Sequence, residues 1–162
     1  MTLVKEIIMY LLELSNGFIN GKTKLARILY LLNYEYFRKK KILLMELKFK
    51  NSFFGPYIVD FDQILNELVK EKYIKITQIE SLFEPYFLYR IELLNKPNYI
   101  YLDEKLKHEI EDIFRRYISM NLNDLIDVVF ETDLCINTDF GEIINFKATI
   151  EGEGSETIPL RE

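Results

Sequence analysis

Tyr73-Ile74-Lys75-Ile76-Thr77-Gln78-Ile79 and Tyr86-Phe87-Leu88-Tyr89-Arg90-Ile91-Glu92-Leu93-Leu94 are two alternating stretches separated by the six residues 80–85. In the second, Phe87, Tyr89, Ile91 and Leu93 point one way and Leu88, Arg90 and Glu92 the other. A period of two over this length, in β-branched and aromatic residues, predicts a pair of half-buried strands joined as a hairpin. Working towards the N-terminus, Ile58, Phe61, Ile64, Leu65 and Leu68 recur at helical spacing, so a helix precedes the hairpin. Pro56 suits its first turn and Glu71 its end. Further back, Leu47, Phe49 and Phe53 alternate with Lys48, Lys50 and Ser52 as a short strand, which Gly55-Pro56 breaks.

Two more helices open the chain. Val4, Ile7, Ile8, Leu11 and Leu12 form one apolar stripe behind Thr2, an N-cap residue, and Asn16-Gly17 ends it. Leu25, Ile28, Leu29, Leu32 and Tyr36 form the next, which starts near Thr23 and stops in the basic run 38–41. The segment between them, Asn16-Gly17-Phe18-Ile19-Asn20-Gly21, reads as a helix–helix turn and lacks the G-x-x-x-x-G-K-[ST] spacing of a phosphate loop. Beyond the hairpin, Asp103 caps a helix bearing Leu106, Ile110, Ile113, Phe114 and Tyr117, and Asn121 or Asn123 caps another bearing Leu125, Val128 and Val129. Helix, helix, strand, helix, hairpin is the order of a winged helix. The expected fold is therefore α+β: a winged-helix-like core of three helices and a small antiparallel sheet, with additional C-terminal helices. One domain over residues 1–148 is expected, followed by an acidic, glycine-rich tail at 149–162 expected to be disordered.

Composition narrows the chemistry. The chain has 162 residues, 49 % apolar and 29 % charged, enough for one domain with a proper core. With one Cys (Cys135) no intrachain disulfide forms, and with one His (His108) the usual zinc sites and His-centred triads cannot be assembled from this chain. Neither a basic leader nor a run of about 20 apolar residues is present, so the expectation is a cytoplasmic protein that does not enter a membrane.

Net charge is −5, but it is unevenly placed: residues 1–80 carry 13 basic and 9 acidic side chains, residues 81–162 carry 8 and 17. Lys22, Lys24, Arg27, Arg38, Lys39, Lys40, Lys41, Lys48 and Lys50 concentrate in one segment against only Glu35 and Glu46. That segment is a candidate polyanion footprint, with Tyr30, Tyr34 and Phe37 available to stack on bases. It is equally a helix end whose cations complement the macrodipole, with the aromatics in the core. The helix before the hairpin carries Asp60, Asp62, Glu67 and Glu71 against Lys70, and the loop carries Glu80 and Glu84, which would repel phosphates at the places a winged helix uses.

Lys24-Leu25-Ala26-Arg27-Ile28-Leu29-Tyr30-Leu31 resembles the K-L-x-K-L-L-Y-L second helix of SocA-like antitoxin (Panacea) domains and the related YwgA-type proteins. Phe54-Gly55-Pro56-Tyr57 resembles their Y-G-P-Y element, and Leu68-Val69-Lys70-Glu71-Lys72-Tyr73-Ile74 the L-x-x-x-G-L-I that follows. Leu125-Ile126-Asp127-Val128-Val129-Phe130-Glu131 is similar to the helix beyond the hairpin there. About two-thirds of the chain is covered in order; Ala26, Phe54, Lys72 and Ile58-Val59 depart from the pattern. The resemblance implies a non-enzymatic module without cofactor or metal that neutralises a toxin-like protein partner by direct contact, of a kind common in phages and mobile elements. A homodimer is left open.

For Phe54, Gly55, Pro56 and Tyr57 the residues themselves allow two roles: a structural corner, because glycine reaches backbone conformations closed to others and proline fixes φ, or an exposed aromatic pair that serves as a partner's hot spot. Other constellations are weak. Glu46-Leu47-Lys48 is the E-x-K of metal-dependent nucleases, but the first Asp is Asp60, downstream. His108 falls on a polar helix face, Cys135 lies among Glu131, Asp133 and Asp139 as buried filler, and these acids with Asp124 and Asp127 lack calcium-loop spacing.

Overall fold

The computed structural model describes residues 1–80 and 87–147; residues 81–86, with most of the expected hairpin loop and Glu84, and residues 148–162, with the expected acidic tail, lie outside the described residues. The elements in order are α1 (Leu3–Leu14), β1 (Phe18–Asn20), α2 (Lys22–Lys40), β2 (Phe49–Lys50), β3 (Tyr57–Ile58), α3 (Phe61–Lys70), β4 (Ile74–Glu80), β5 (Phe87–Leu93), α4 (Glu104–Tyr117), α5 (Leu122–Phe130) and α6 (Asp133–Ile136). The protein is of mixed α and β structure, its strands gathered in small antiparallel sheets. Among the described residues no helix is long and apolar enough to cross a membrane.

The chain divides into two compact units, one of Met1–Leu25 with Asp60–Ile118, the other of Ala26–Val59 with the described residues from Ser119. In the first, β4 and β5 pair over seven residues, Ile76 opposite Ile91, as the alternation predicts. The segment expected to be a plain turn supplies a strand instead: β1 pairs with β5, Ile19 opposite Ile91, giving the order β1-β5-β4. Three residues are too few to show a period, and positive φ at Asn16, Gly17 and Gly21 frames them. The predicted caps form at Thr2 and Asp103, whose side chains accept from Lys5 and Leu106 N–H.

Helix α1 is buried on more than its predicted stripe, for Glu6, Met9 and Tyr10 are buried too. The Glu6 carboxylate accepts the backbone N–H groups of Ile100, Tyr101 and Leu102 at 2.9–3.1 Å, so three successive donors of the segment before α4 converge on one buried anion. Each is a charge-assisted bond that stabilises by about 1.5–3 kcal/mol against its loss. Nearby, the Tyr10 and Tyr99 rings meet edge-on at 5.8 Å, with Lys107 4.5 Å from the Tyr99 centroid. Tyr10 Oη donates to Glu111 and Tyr99 Oη to Glu13.

In the second unit, Tyr30, Phe49 and Phe146 pack ring against ring at 5.6 Å, and Leu125 and Val129 of α5 are fully buried, as is Leu29 of α2. Asn33 clasps Met45 through both its N–H and its carbonyl, and Tyr30 Oη shares a hydrogen bond with Thr132. Of the two caps expected for α5, Asn121 and Asn123, the structure uses Asn121, whose side chain accepts from Asp124 N–H. Two expectations fail between β2 and α3. The strand from Leu47 shrinks to Phe49–Lys50, and Pro56 does not start α3. Tyr57 and Ile58 instead pair with β2, Val59 N–H donates to Lys48 O, and Asp60 adopts a left-handed φ of 64° that no helix can pass through.

Replacing Glu6 with Ala removes the buried acceptor of three N–H donors, that of Leu102 buried and those of Ile100 and Tyr101 part-buried, and is expected to lower unfolding free energy by about 3 kcal/mol in urea titration, far beyond an ordinary surface change. Burial, with the Glu111 contact second, pushes the Tyr10 phenol up to about 12. A raised folded-state value means stability is intact below the unfolded tyrosine's value near 10 and is lost as pH climbs from there towards about 12. Alkaline titration followed by phenolate absorbance and circular dichroism should therefore show late Tyr10 ionisation coinciding with unfolding; ionisation of all tyrosines near pH 10 in a folded protein would contradict it.

Candidate functional site

Two tight turns in the second unit carry the three most exposed phenylalanines among the described residues. In the first, Gly55 N–H donates to Ser52 O at 3.0 Å, Ser52 Oγ donates to Gly55 O, and Phe54 N–H donates to Ser52 Oγ. Phe53 and Phe54 are thereby pushed to the turn's corner, where the strand expectation had Phe53 facing the core beside Phe49. In the second, Glu142 N–H donates to Asp139 O at 3.1 Å, and Gly141, at φ 89°, lets Phe140 occupy the corner. The rings meet: Phe53 lies 5.6 Å from Phe54 and 5.8 Å from Phe140, both tilted towards edge-on. Phe53, Phe54 and Phe140 are 73 %, 76 % and 59 % exposed, and Tyr57 46 %. Large apolar side chains scattered singly on a surface need no explanation; three joined through one central ring, Phe53, do.

What holds the turns is polar and buried. Asn51, 1 % exposed, donates from Nδ2 to Cys135 O and Thr138 O, while its backbone accepts from Gly141 N–H at 2.7 Å and donates to Glu142 O at 2.9 Å. One residue thus ties the Phe53 turn to the Phe140 turn. Under the other side, Arg27 of α2 is 5 % exposed and donates to Phe54 O at 2.7 Å and to Leu122 O at 3.3 Å. Its Nε has no hydrogen-bond partner among the described residues. Burial lowers its pKa. Gly55 has φ 104°, and a Cβ there would meet Arg27 Nε at 3.6 Å and Ile126 of α5 at 3.9 Å, ordinary contacts, so the conformation and not the space demands glycine. Pro56 and Gly55 are buried, so of the four residues 54–57 the outer two face solvent and the inner two form the corner.

Of the nine basic residues of 22–50, three have their charged groups engaged by partners within the protein. Lys22 pairs with Asp62 at 2.9 Å and lies over the Tyr89 ring. Lys24 donates to Ile118 O at 2.8 Å, and burial lowers its pKa. Arg27 points inward as described. Arg38, Lys39 and Lys40 close α2, where the macrodipole favours cations, Lys41 follows it, and Lys50 lies on β2 with Lys48 just before it. Tyr30, Tyr34 and Phe37 are buried; Tyr34 hydrogen-bonds Asp133, so their faces are not offered to bases. On α3, Glu67 and Glu71 both reach Lys5, at 3.0 and 2.9 Å, which neutralises part of the acidic face read from the sequence.

Cys135 is buried, and burial raises its thiol pKa, away from a thiolate nucleophile; His108 is exposed. Glu46 and Lys48 stand exposed on coil before β2. Sequence reasoning missed Asn51, Phe53 and Phe140 as members of the patch. The serine turn at Ser52, whose Oγ accepts from Phe54 N–H, and the Phe-Gly pair at 140–141 were the signals that could have found them. Compared with known protein families, curated proteins and solved structures, the chain matches none.

Gly55→Ala is expected to cost about 1–2 kcal/mol through its left-handed backbone alone, whereas Arg27→Met, which removes the charged donor from the Phe54 and Leu122 carbonyls, is expected to cost at least as much and to loosen the corner. Thermal melts of both variants, with amide exchange at residues 53–57, check the ranking; an unchanged melt for Arg27→Met would refute the role given to the guanidinium.

Proposed function

We propose that this chain is a non-catalytic protein-interaction module of the antitoxin-like (Panacea, SocA-like) kind, acting in the cytoplasm, and that a toxin-like protein partner docks on the aromatic corner. The observation that carries the reading is the cluster in which Phe53 touches both Phe54 and Phe140, all three open to solvent, with Tyr57 three residues on from Phe54 exposed as well. Aromatic side chains presented on rigid turns bind with little loss of conformational freedom, which is what makes interface hot spots. The element order, two helices, then α3 and the β4–β5 hairpin, supports a winged-helix-like core for the module. The family motif supports it too, since Arg27 and residues 54–57, distant in sequence, meet at this corner.

The alternative, a nucleic-acid-binding regulator using residues 22–50, has less support. Lys22 is paired with Asp62, Lys24 and Arg27 donate to backbone carbonyls, and the rings that would stack are buried. Affinity for a polyanion rests on the number of cations free to reach phosphates.

Phe54→Ala and Tyr57→Ala are expected to leave unfolding free energy within about 1 kcal/mol of the unaltered protein and to weaken capture of a co-expressed partner by about tenfold or more. If either variant unfolds, that residue is a structural one. If both capture the partner as well as the unaltered protein does, the docking surface lies elsewhere.

A further inference from the structure

The aromatic corner is not electrically neutral ground. Phe140 sits between Asp139 and Glu142, the first and last residues of its turn, and both are exposed. Neither carboxylate forms an ion pair among the described residues. Helix α5, which lies against Gly55 through Ile126, exposes Asp124, Asp127 and Glu131. Lys50, the cation nearest in the ladder, stands opposite both Tyr57 and Ile143 and pairs with neither Asp139 nor Glu142 among the described residues, so both carboxylates stay open at the patch formed by Phe53, Phe54 and Phe140. There the rings are set at 74° and 66° to their neighbours, an arrangement that turns ring faces in different directions towards solvent. Aromatic faces carry negative quadrupole charge. Faces and carboxylates together make a seat whose complement is a cation with an apolar stem.

Resting on the interaction reading above, we propose that the partner presents a basic segment to this corner, with an arginine or lysine side chain laid over the Phe53, Phe54 and Phe140 rings and its charge met by Asp139 and Glu142. The guanidinium is the better fit, because it stacks on rings and donates to a carboxylate at the same time. The same charge pattern repels nucleic-acid phosphates from this face, so the occupant is a protein segment.

The test uses the full chain, labelled with ¹⁵N, titrated by nuclear magnetic resonance with acetyl-arginine methylamide and, separately, with acetyl-citrulline methylamide, its neutral isostere. The expected result is that the arginine compound shifts the amides of residues 53, 54 and 139–142 at about fivefold lower concentration than the citrulline compound. That preference should vanish in the double variant Asp139→Asn, Glu142→Gln and shrink with added salt, while the Phe140→Leu variant loses binding of the cation but keeps its fold. Equal response to the two compounds, or shifts spread without focus on these residues, overturns the cationic assignment. The two proposals fail separately: equal binding of both compounds at the corner leaves a docking surface that does not read charge, whereas partner capture indifferent to Phe54→Ala removes the docking surface itself.

Discussion

The Arg27 guanidinium is a positive charge held almost wholly out of water, and it is answered by the carbonyl oxygens of Phe54 and Leu122. Taking such a charge from solvent costs several kcal/mol, and charge-assisted hydrogen bonds recover about 1.5–3 kcal/mol each. The site is tolerable only if those carbonyls stay where they are. One of them belongs to the residue before Gly55, the other to the first residue of α5, so the guanidinium fixes the aromatic turn and the helix beside it against α2. Asn51 completes the clamp from the other side, and the patch of Phe53, Phe54 and Phe140 inherits its rigidity from both.

The first unit is organised by the opposite charge on the same plan. Glu6, fully buried in α1, gathers three consecutive backbone N–H groups and so sets the path of the segment leading into α4. In each unit a buried ion is paired with backbone dipoles of an irregular segment. This shapes stretches that have no ladder of their own to satisfy their polar groups, and it requires a defined conformation because displacement leaves an ion unsolvated.

Apolar spacing located the long elements well. α1, α2, α4 and the β4–β5 hairpin stand close to where the sequence placed them, since each presents a clear period over seven or more residues, and α5 is placed by its cap; the caps at Thr2, Asp103 and Asn121 are local chemistry. The failures cluster in residues 47–60 and at β1, where elements of two or three residues leave no period to count. Pro56 illustrates the point: its fixed φ suits a helix start and an extended strand entry alike, and the pairing of Tyr57 and Ile58 with β2 decided between them. Of the site, the chain order made Phe54, Gly55, Pro56 and Tyr57 conspicuous, while Phe140, more than eighty residues on, was recognisable only once the Asn51 contacts had brought its turn alongside.

Taken by itself, the sequence determined an α+β chain with helices and a hairpin in a set order, a lone cysteine and histidine that limit its chemistry, and a glycine–proline corner. These are properties of composition and of local steric and capping preferences, which act over a few residues. Only the tertiary structure decided which charges are available. Arg27 and Glu6 look like solvated surface ions in the sequence because their partners are backbone groups, which carry no residue identity to read. The same holds for the exposed rings: Phe49 and Phe53 are the same residue type four positions apart, and burial of one and exposure of the other follow from a turn whose hydrogen bonds close across the fold.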